Sequence, residues 1–159
     1  MAVAYLDYFS ASPSDLASMG KLGVACLLGG IIGLQREITH HPAGLRTHML
    51  VALGSSGFML TGFFLASHLP HELNLSLSSI IQGVVTGMGF IGAGAIMKEG
   101  INIHGITTAA SLWVSSSVGL MCACGAFSLA ASTTLFALIA LLLSGPERKI
   151  KLDNKTPRP

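Results

Sequence analysis

The feature that most constrains this chain is a long stretch without charge: from Gly100 to Pro146 there is no Asp, Glu, Lys or Arg. Soluble chains carry roughly a quarter charged residues, because a globule needs a surface that water wets. Here only 10% of the 159 residues are charged and 51% are hydrophobic. A chain of this length forms one domain, which could not hide the stretch from water. The sequence therefore excludes a soluble enzyme, a disordered tail and a basic nucleic-acid binder, and it predicts a protein of the lipid bilayer.

Five apolar segments are long enough to cross a membrane, which takes about 20 residues per helix. They lie at residues 16–34, 48–67, 77–97, 106–124 and 127–143. We therefore predict an all-α integral membrane protein with about five transmembrane helices. Its transmembrane domain is expected over residues 1–145, followed by a short basic cytoplasmic tail over residues 146–159.

The basic residues between the predicted spans fall on one side of the membrane. Arg36 and Arg46 lie between the first and second spans, and Lys98 lies between the third and fourth. The segment between the second and third spans has neither Lys nor Arg. Because cytoplasmic loops carry an excess of Lys and Arg, we expect a multi-pass protein with its N-terminus outside and its C-terminus in the cytoplasm.

The chain also contains a weak internal repeat with an offset of 61 residues. Each copy has a small-residue helix, a basic–acidic pair, a short loop, the pattern Gly-aliphatic-x-Thr and a further helix. The corresponding pairs are Gly33 and Gly94, Gly44 and Gly105, and Thr47 and Thr108. Such a pattern predicts two parallel hairpins related by an axis along the membrane normal, with the fifth helix added.

Small residues in the first and third spans are candidates for helix packing, because helix association in lipid depends on close backbone approach. The candidates are Gly29, Gly33, Gly83, Gly87, Gly89, Gly92 and Gly94. The glycines of the third span form an almost bare face, which we expect to pack on another helix of the same subunit or of a second one. We therefore expect a homo-oligomer.

Polar residues gather at the predicted cytoplasmic helix ends, and this cluster has three interpretations. Its members are Gln35, Arg36, Glu37, Arg46, Thr47, His48, Lys98, Glu99, Thr107 and Thr108. In the first interpretation they are interfacial anchors that pair with one another. In the second, the N-termini of the second and fourth helices bind an anion together with Arg46. In the third and weaker one, Gln35, Glu37 and Glu99 bind a cation.

No nucleophile–base pair stands out, so the sequence predicts neither an enzyme nor catalytic residues. No His, Cys or carboxylate set has a metal-ligand spacing, so we expect no metal and no cofactor. The expected partners are the lipid bilayer, a second copy of the chain and another membrane complex, and nucleic acid is not expected.

Four linked motifs, at residues 29–37, 43–51, 87–99 and 105–114, resemble the signature of the MgtC/SapB family of bacterial inner-membrane proteins. The resemblance covers roughly residues 21–130. It implies about five spans, a link to growth in low magnesium and to survival inside host phagocytes (virulence) and, in some members, inhibition of the ATP synthase. It implies no catalytic residue.

The chain departs from the family pattern in two ways. Gln35 stands where members usually carry an acidic residue, which weakens the cation interpretation. Many members carry a soluble C-terminal domain, whereas here we expect the N-terminal transmembrane domain only. We therefore predict a membrane regulatory protein that binds another membrane complex. The alternative is a small transporter or channel for magnesium or phosphate-type ions.

Overall fold

The computed structural model describes residues 13–68, 76–99 and 102–143. Five helices and one short hairpin of strands make up these residues. The helices are α1 (Pro13–Ile38), α2 (Leu45–His68), α3 (Leu77–Ala95), α4 (Ile106–Ala123) and α5 (Phe127–Leu143), and the strands are β1 (Met97–Glu99) and β2 (Asn102–His104). The prediction of a helical membrane protein is confirmed.

Four of the helices, α1 to α4, are long and apolar enough to cross a membrane. Helix α5 is a shorter apolar helix of 17 residues. At 1.5 Å per residue it would extend about 26 Å, a little less than the hydrocarbon core of a bilayer. A fifth crossing at α5 therefore stays a prediction. The predicted tail at 146–159 and the chain before Pro13 lie outside the described residues.

Helix α1 is longer at both ends than the span predicted from apolar residues alone. Proline suits the first helical position, Asp15 lies in the first turn, and Arg36 lies in the last turn. Charges of these signs at these ends stabilise a helix through its dipole. The polar residues Gln35 to Glu37, expected in a loop, are therefore helical. The second helix likewise begins at Leu45, three residues before the predicted start.

The third helix ends earlier than predicted, and strands follow it. Ile96 has an extended backbone, and β1 pairs with β2 in antiparallel register, with Lys98 opposite Ile103. Gly105 then adopts a left-handed conformation with φ of 87°. A Cβ at this position would overlap the carbonyl oxygen of Ala95. Glycine is therefore required here, and the hairpin ties the end of α3 to the start of α4.

Helix α4 lies at the centre of the bundle and contacts all four other helices. Half of its span is buried inside the chain, compared with 6% of the α3 span. The main apolar cluster joins α1, α4 and α5, and its buried members are Ala25, Ile32, Val118, Cys122, Ala130 and Leu141. Helix α3 therefore lies at the edge of the bundle with most of its surface uncovered.

Candidate functional site

The centre of the polar region is Arg36, which is buried although it carries a charge. Its side chain is 2% exposed at the end of α1. One guanidinium nitrogen, Nη2, donates a hydrogen bond of 3.1 Å to the Oγ1 of Thr108, in the first turn of α4. A basic residue of the first hairpin is thus bonded to the helix start of the second hairpin.

His48 continues this arrangement from α2. The imidazole is fully buried, with Nδ1 2.8 Å from the carbonyl oxygen of Gly44 and Nε2 3.0 Å from the Oγ of Ser111. Because a carbonyl only accepts, Nδ1 is the donor to Gly44. The Ser111 hydroxyl also lies 2.8 Å from the carbonyl oxygen of Thr108, so its single hydrogen is shared between two acceptors, that carbonyl and the Nε2 of His48. Arg36, Thr108, Ser111 and His48 therefore form one polar network across α1, α4 and α2.

Two glycines on α1 let the first two helices approach closely enough to bury this network. A Cβ at Gly33 would lie 2.8 Å from both the Gly44 oxygen and the Leu45 Cα, and 2.9 Å from the His48 Cβ. A Cβ at Gly29 would lie 2.7 Å from the Ala52 Cβ. Real Cβ contacts are not this short, so both positions need glycine. Both glycines therefore lie at the contact between α1 and α2.

Glu37 lies beside the network but binds the backbone. Its Oε2 accepts a 2.8 Å hydrogen bond from the N–H of Leu45, the first residue of α2. A carboxylate at this end satisfies a free amide and complements the helix dipole. Gln35 has a buried Oε1 without a hydrogen-bond partner among the described residues. The Glu99 side chain lies outside the described residues, so the predicted cation set of Gln35, Glu37 and Glu99 stays a prediction.

Arg46 and Thr47 point away from the network, toward a groove between α2 and α3. Both are exposed, whereas Thr108 is buried and Thr107 is half-buried. The predicted anion site, which joined the two helix starts through Arg46, stays a prediction. The basic partner of Thr108 in this structure is Arg36. Lys98 is exposed on β1 and is not among the residues that line the groove.

A pair of serines that sequence reasoning did not single out links α2 and α4 deeper in the bundle. The hydroxyls of Ser55 and Ser116 are 2.7 Å apart, and both side chains are buried. The two positions differ by 61 residues, which is the offset of the internal repeat. Equivalent residues that touch each other lie close to the axis that relates the repeats. The repeat itself was therefore the signal that could have found this pair.

Comparison with known protein families gives a match that includes the whole polar network. The profile of the MgtC family matches residues 22–149. The chain belongs to the MgtC family. The resemblance drawn from the four motifs is thereby confirmed, and every residue of the polar network lies inside the matched range. No solved structure matches the chain.

Curated relatives give the same assignment. Protein MgtC of Brucella abortus (strain 2308) is 41% identical over 125 residues, which are 79% of this chain and 50% of that protein. Protein MgtC of Salmonella typhimurium (strain 14028s) is 40% identical over 123 residues, which are 77% of this chain and 50% of that protein. The chain spans about half the length of the curated MgtC proteins it matches.

The third helix of this MgtC-family protein presents its small residues outward. A Cβ at Gly83, Gly87, Gly89 or Gly94 would meet nothing within 4 Å, whereas at Gly92 it would lie 3.7 Å from the Ala109 Cβ on α4. Gly92 therefore packs inside the chain, and the other four face open space. One exposed row has a helical spacing of i, i+4, i+7 and i+11. This row, the outer face of α3, comprises Gln82, Thr86, Gly89 and Ala93.

Proposed function

We propose that this MgtC-family protein is a non-enzymatic regulator that docks onto another complex in the bacterial inner membrane. The observation that carries the proposal is the outer face of α3. Helix α3 lies at the edge of the bundle, and only 6% of its span is buried inside the chain. Gly89 and Ala93 are exposed on this helix. Such a face lets the backbone of another helix come close.

The chemistry of this face suits docking inside lipid. Helices do not associate there through the hydrophobic effect, because lipid tails are as apolar as leucine. Association depends instead on van der Waals contact between small residues and on hydrogen bonds across the interface. Gly89 and Ala93 offer the contact, and the exposed side chains of Gln82 and Thr86 offer hydrogen-bonding groups.

The bonding of the polar residues supports docking over ion transport. Arg36, His48 and Ser111 are bonded within the bundle, and Glu37 caps α2. These groups hold helices together, whereas a transport path needs polar groups that a passing ion can reach. The alternative function, a small transporter or channel for magnesium or phosphate-type ions, is therefore examined by the liposome experiment below.

We further propose the orientation and the physiological setting. The distribution of Arg36, Arg46 and Lys98 supports an outside N-terminus and a cytoplasmic C-terminus. The family resemblance supports a role in growth at low magnesium and in intracellular survival, with the ATP synthase as one candidate complex. A second copy of the chain on the same face is the other candidate for direct docking.

The proposal is tested by purifying the tagged chain from its own membranes in mild detergent and identifying what accompanies it. The variant Gly89→Leu should lose the partner, because its added side chain projects from the outer face without striking the chain itself. The matched control is Ala131→Leu, at an exposed position on α5. It should retain the partner in the same amount as the parent chain.

Two results would contradict docking. In the first, Gly89→Leu and Ala131→Leu retain the partner equally. In the second, the purified chain alone moves Mg²⁺ or phosphate across liposome membranes at a rate that Arg46→Ala abolishes, which would establish the transporter. Recovery of the chain with only its own copies would remove the main support for docking onto another complex.

A further inference from the structure

A groove of about 1060 Å³ runs between α2 and α3 on the surface of the bundle. Its walls are almost entirely apolar and include Leu50, Phe58, Val84 and Ile91. The volume is at the upper end of the roughly 300–1,000 Å³ typical of pockets that bury a small-molecule ligand. Because the groove opens sideways from membrane-spanning helices, the molecules that can enter it come from the lipid phase.

The groove is a wedge that closes toward the end of α2. There, a Cβ at Gly62 would overlap the Ile80 side chain and lie 3.6 Å from the Leu77 Cδ2, so the two helices touch. Nearer the start of α2, the helices diverge. A Cβ at Gly54 on α2 or at Gly87 on α3 would meet nothing within 4 Å, although both residues line the groove.

The open end of the wedge carries a cation. Arg46 and Thr47 line the groove there, and both are exposed. Among the acidic side chains that the structure describes, which do not include that of Glu99, none pairs with Arg46. The groove thus combines an apolar body with one guanidinium and one hydroxyl at its mouth.

We propose that this groove binds an anionic phospholipid, with the headgroup phosphate on Arg46 and Thr47 and an acyl chain in the wedge. Basic pockets between transmembrane helices bind anionic headgroups by this chemistry. The dimensions agree: from Arg46 to Gly54 α2 rises about 12 Å, close to half of the roughly 30 Å hydrocarbon core. On the proposed orientation, the lipid belongs to the cytoplasmic leaflet.

The charge of Arg46 at the mouth of the groove favours a lipid over a second copy of the chain as the occupant. Closed dimers are two-fold symmetric, and in a membrane the two-fold axis lies along the membrane normal. A second copy seated in the groove would therefore place its own Arg46 at the same depth as the first. Like charges repel, whereas a phosphate neutralises the guanidinium. The groove also lies on a different side of α3 from the outer face, so the site is independent of the proposed docking.

The test is lipid binding to the full chain in detergent micelles, measured by native mass spectrometry with phosphatidylglycerol and phosphatidylcholine of the same acyl chains. The parent chain should prefer phosphatidylglycerol, and Arg46→Gln should reduce that preference by about fivefold, the effect of one basic residue near a membrane surface. The matched control is Lys98→Gln, which removes an exposed cation outside the groove and should leave the preference unchanged. Free glycerol phosphate should not compete, because it lacks the acyl chain.

A second pair of variants tests the wedge itself. Gly87→Leu fills the groove and should cause loss of both lipids, whereas Gly23→Leu, at an open position on α1 outside the groove, should not. Circular dichroism of both variants should match the parent chain, since neither added Cβ strikes another residue. Equal effects of Arg46→Gln and Lys98→Gln would overturn the proposal. So would a Gly87→Leu chain that keeps the parent's fold and still binds lipid as the parent does.

Discussion

The two hairpins of this bundle share a sequence pattern and differ in how tightly their helices pack. In the first hairpin, Gly33 lies against the backbone of α2, where a Cβ would come within 2.8 Å of Gly44 and Leu45. In the second hairpin, a Cβ at the equivalent Gly94 would have no atom of the chain within 4 Å. The same small residue thus closes one hairpin and leaves the other with a bare surface.

The turns of the two hairpins differ in the same way. The first turn has its left-handed residue at His40, with φ of 57°, four positions before Gly44. In the second connection, the left-handed residue that the structure describes is Gly105, the repeat equivalent of Gly44, with φ of 87° after a pair of strands. The comparison teaches that the repeat preserves helix order while the two hairpins are used differently: α1 and α2 pack closely on each other, whereas in the second hairpin α4 is the centre of the bundle and α3 leaves most of its surface uncovered.

The largest expected effect is a difference in stability between leucine variants of the two equivalent glycines. Gly33→Leu should destabilise the bundle by about 3 kcal/mol or more, because the side chain has no room against α2. Gly94→Leu should change the free energy of unfolding by less than about 0.5 kcal/mol. Both are measured by SDS titration of the purified chain in micelles, followed by circular dichroism. Similar losses for the two variants would contradict the difference between the hairpins.

The next effect is the loss of stability when the basic residue of each hairpin is replaced by glutamine. Arg36→Gln should cost about 1.5–3 kcal/mol, because it removes a charged donor from a buried hydrogen bond to Thr108. Lys98→Gln, on the exposed strand, should stay within about 0.5 kcal/mol. The same titration checks both. An Arg36→Gln chain as stable as the parent would show that the network does not hold the hairpins together.

A smaller effect concerns the link from His48 to Ser111. In a double-mutant cycle of His48→Ala and Ser111→Ala, the coupling energy should be about 1 kcal/mol, as for an ordinary buried hydrogen bond. The cycle isolates the contact between the hairpins from the packing of each side chain. A coupling near zero would mean that the imidazole is held by Gly44 alone.

The smallest effect concerns the serine pair near the repeat axis. Coupling between Ser55→Ala and Ser116→Ala should be about 0.6 kcal/mol, the average for hydrogen bonds between membrane helices. The control cycle pairs Ser55→Ala with Ser132→Ala, since Ser132 bonds within its own helix and should show no coupling. Equal values in the two cycles would remove the serine contact as support for the axis.

The helices could be predicted from sequence because a membrane span is a local property of about 20 residues. The same reasoning missed the end of α3, since Ile96 and Met97 are as apolar as the helix before them. Strand formation there depends on pairing with residues 102–104, which hydropathy does not register. The family motifs, in contrast, are local and identified the family correctly.

The candidate site was predictable in composition but not in arrangement. Arg36, His48 and Thr108 were all expected in one polar cluster, but the anion interpretation grouped Thr108 with Arg46 and not with Arg36. Both arginines lie near the same helix ends, and only the tertiary packing decides which is buried. Ser111 was not expected at all, because a serine inside an apolar span gives no local sign of a partner 63 residues away.

The hydrogen bond between Arg36 and Thr108 also implies an order in which the helices are assembled during synthesis. The two residues are 72 positions apart. At about 5–20 residues per second, a ribosome needs roughly 4–14 s to make the intervening chain. During that interval α1 has already been made, and its guanidinium can extend toward the interface because it lies at a helix end. We expect the first hairpin to insert as an unfinished unit, which the arrival of α4 then completes.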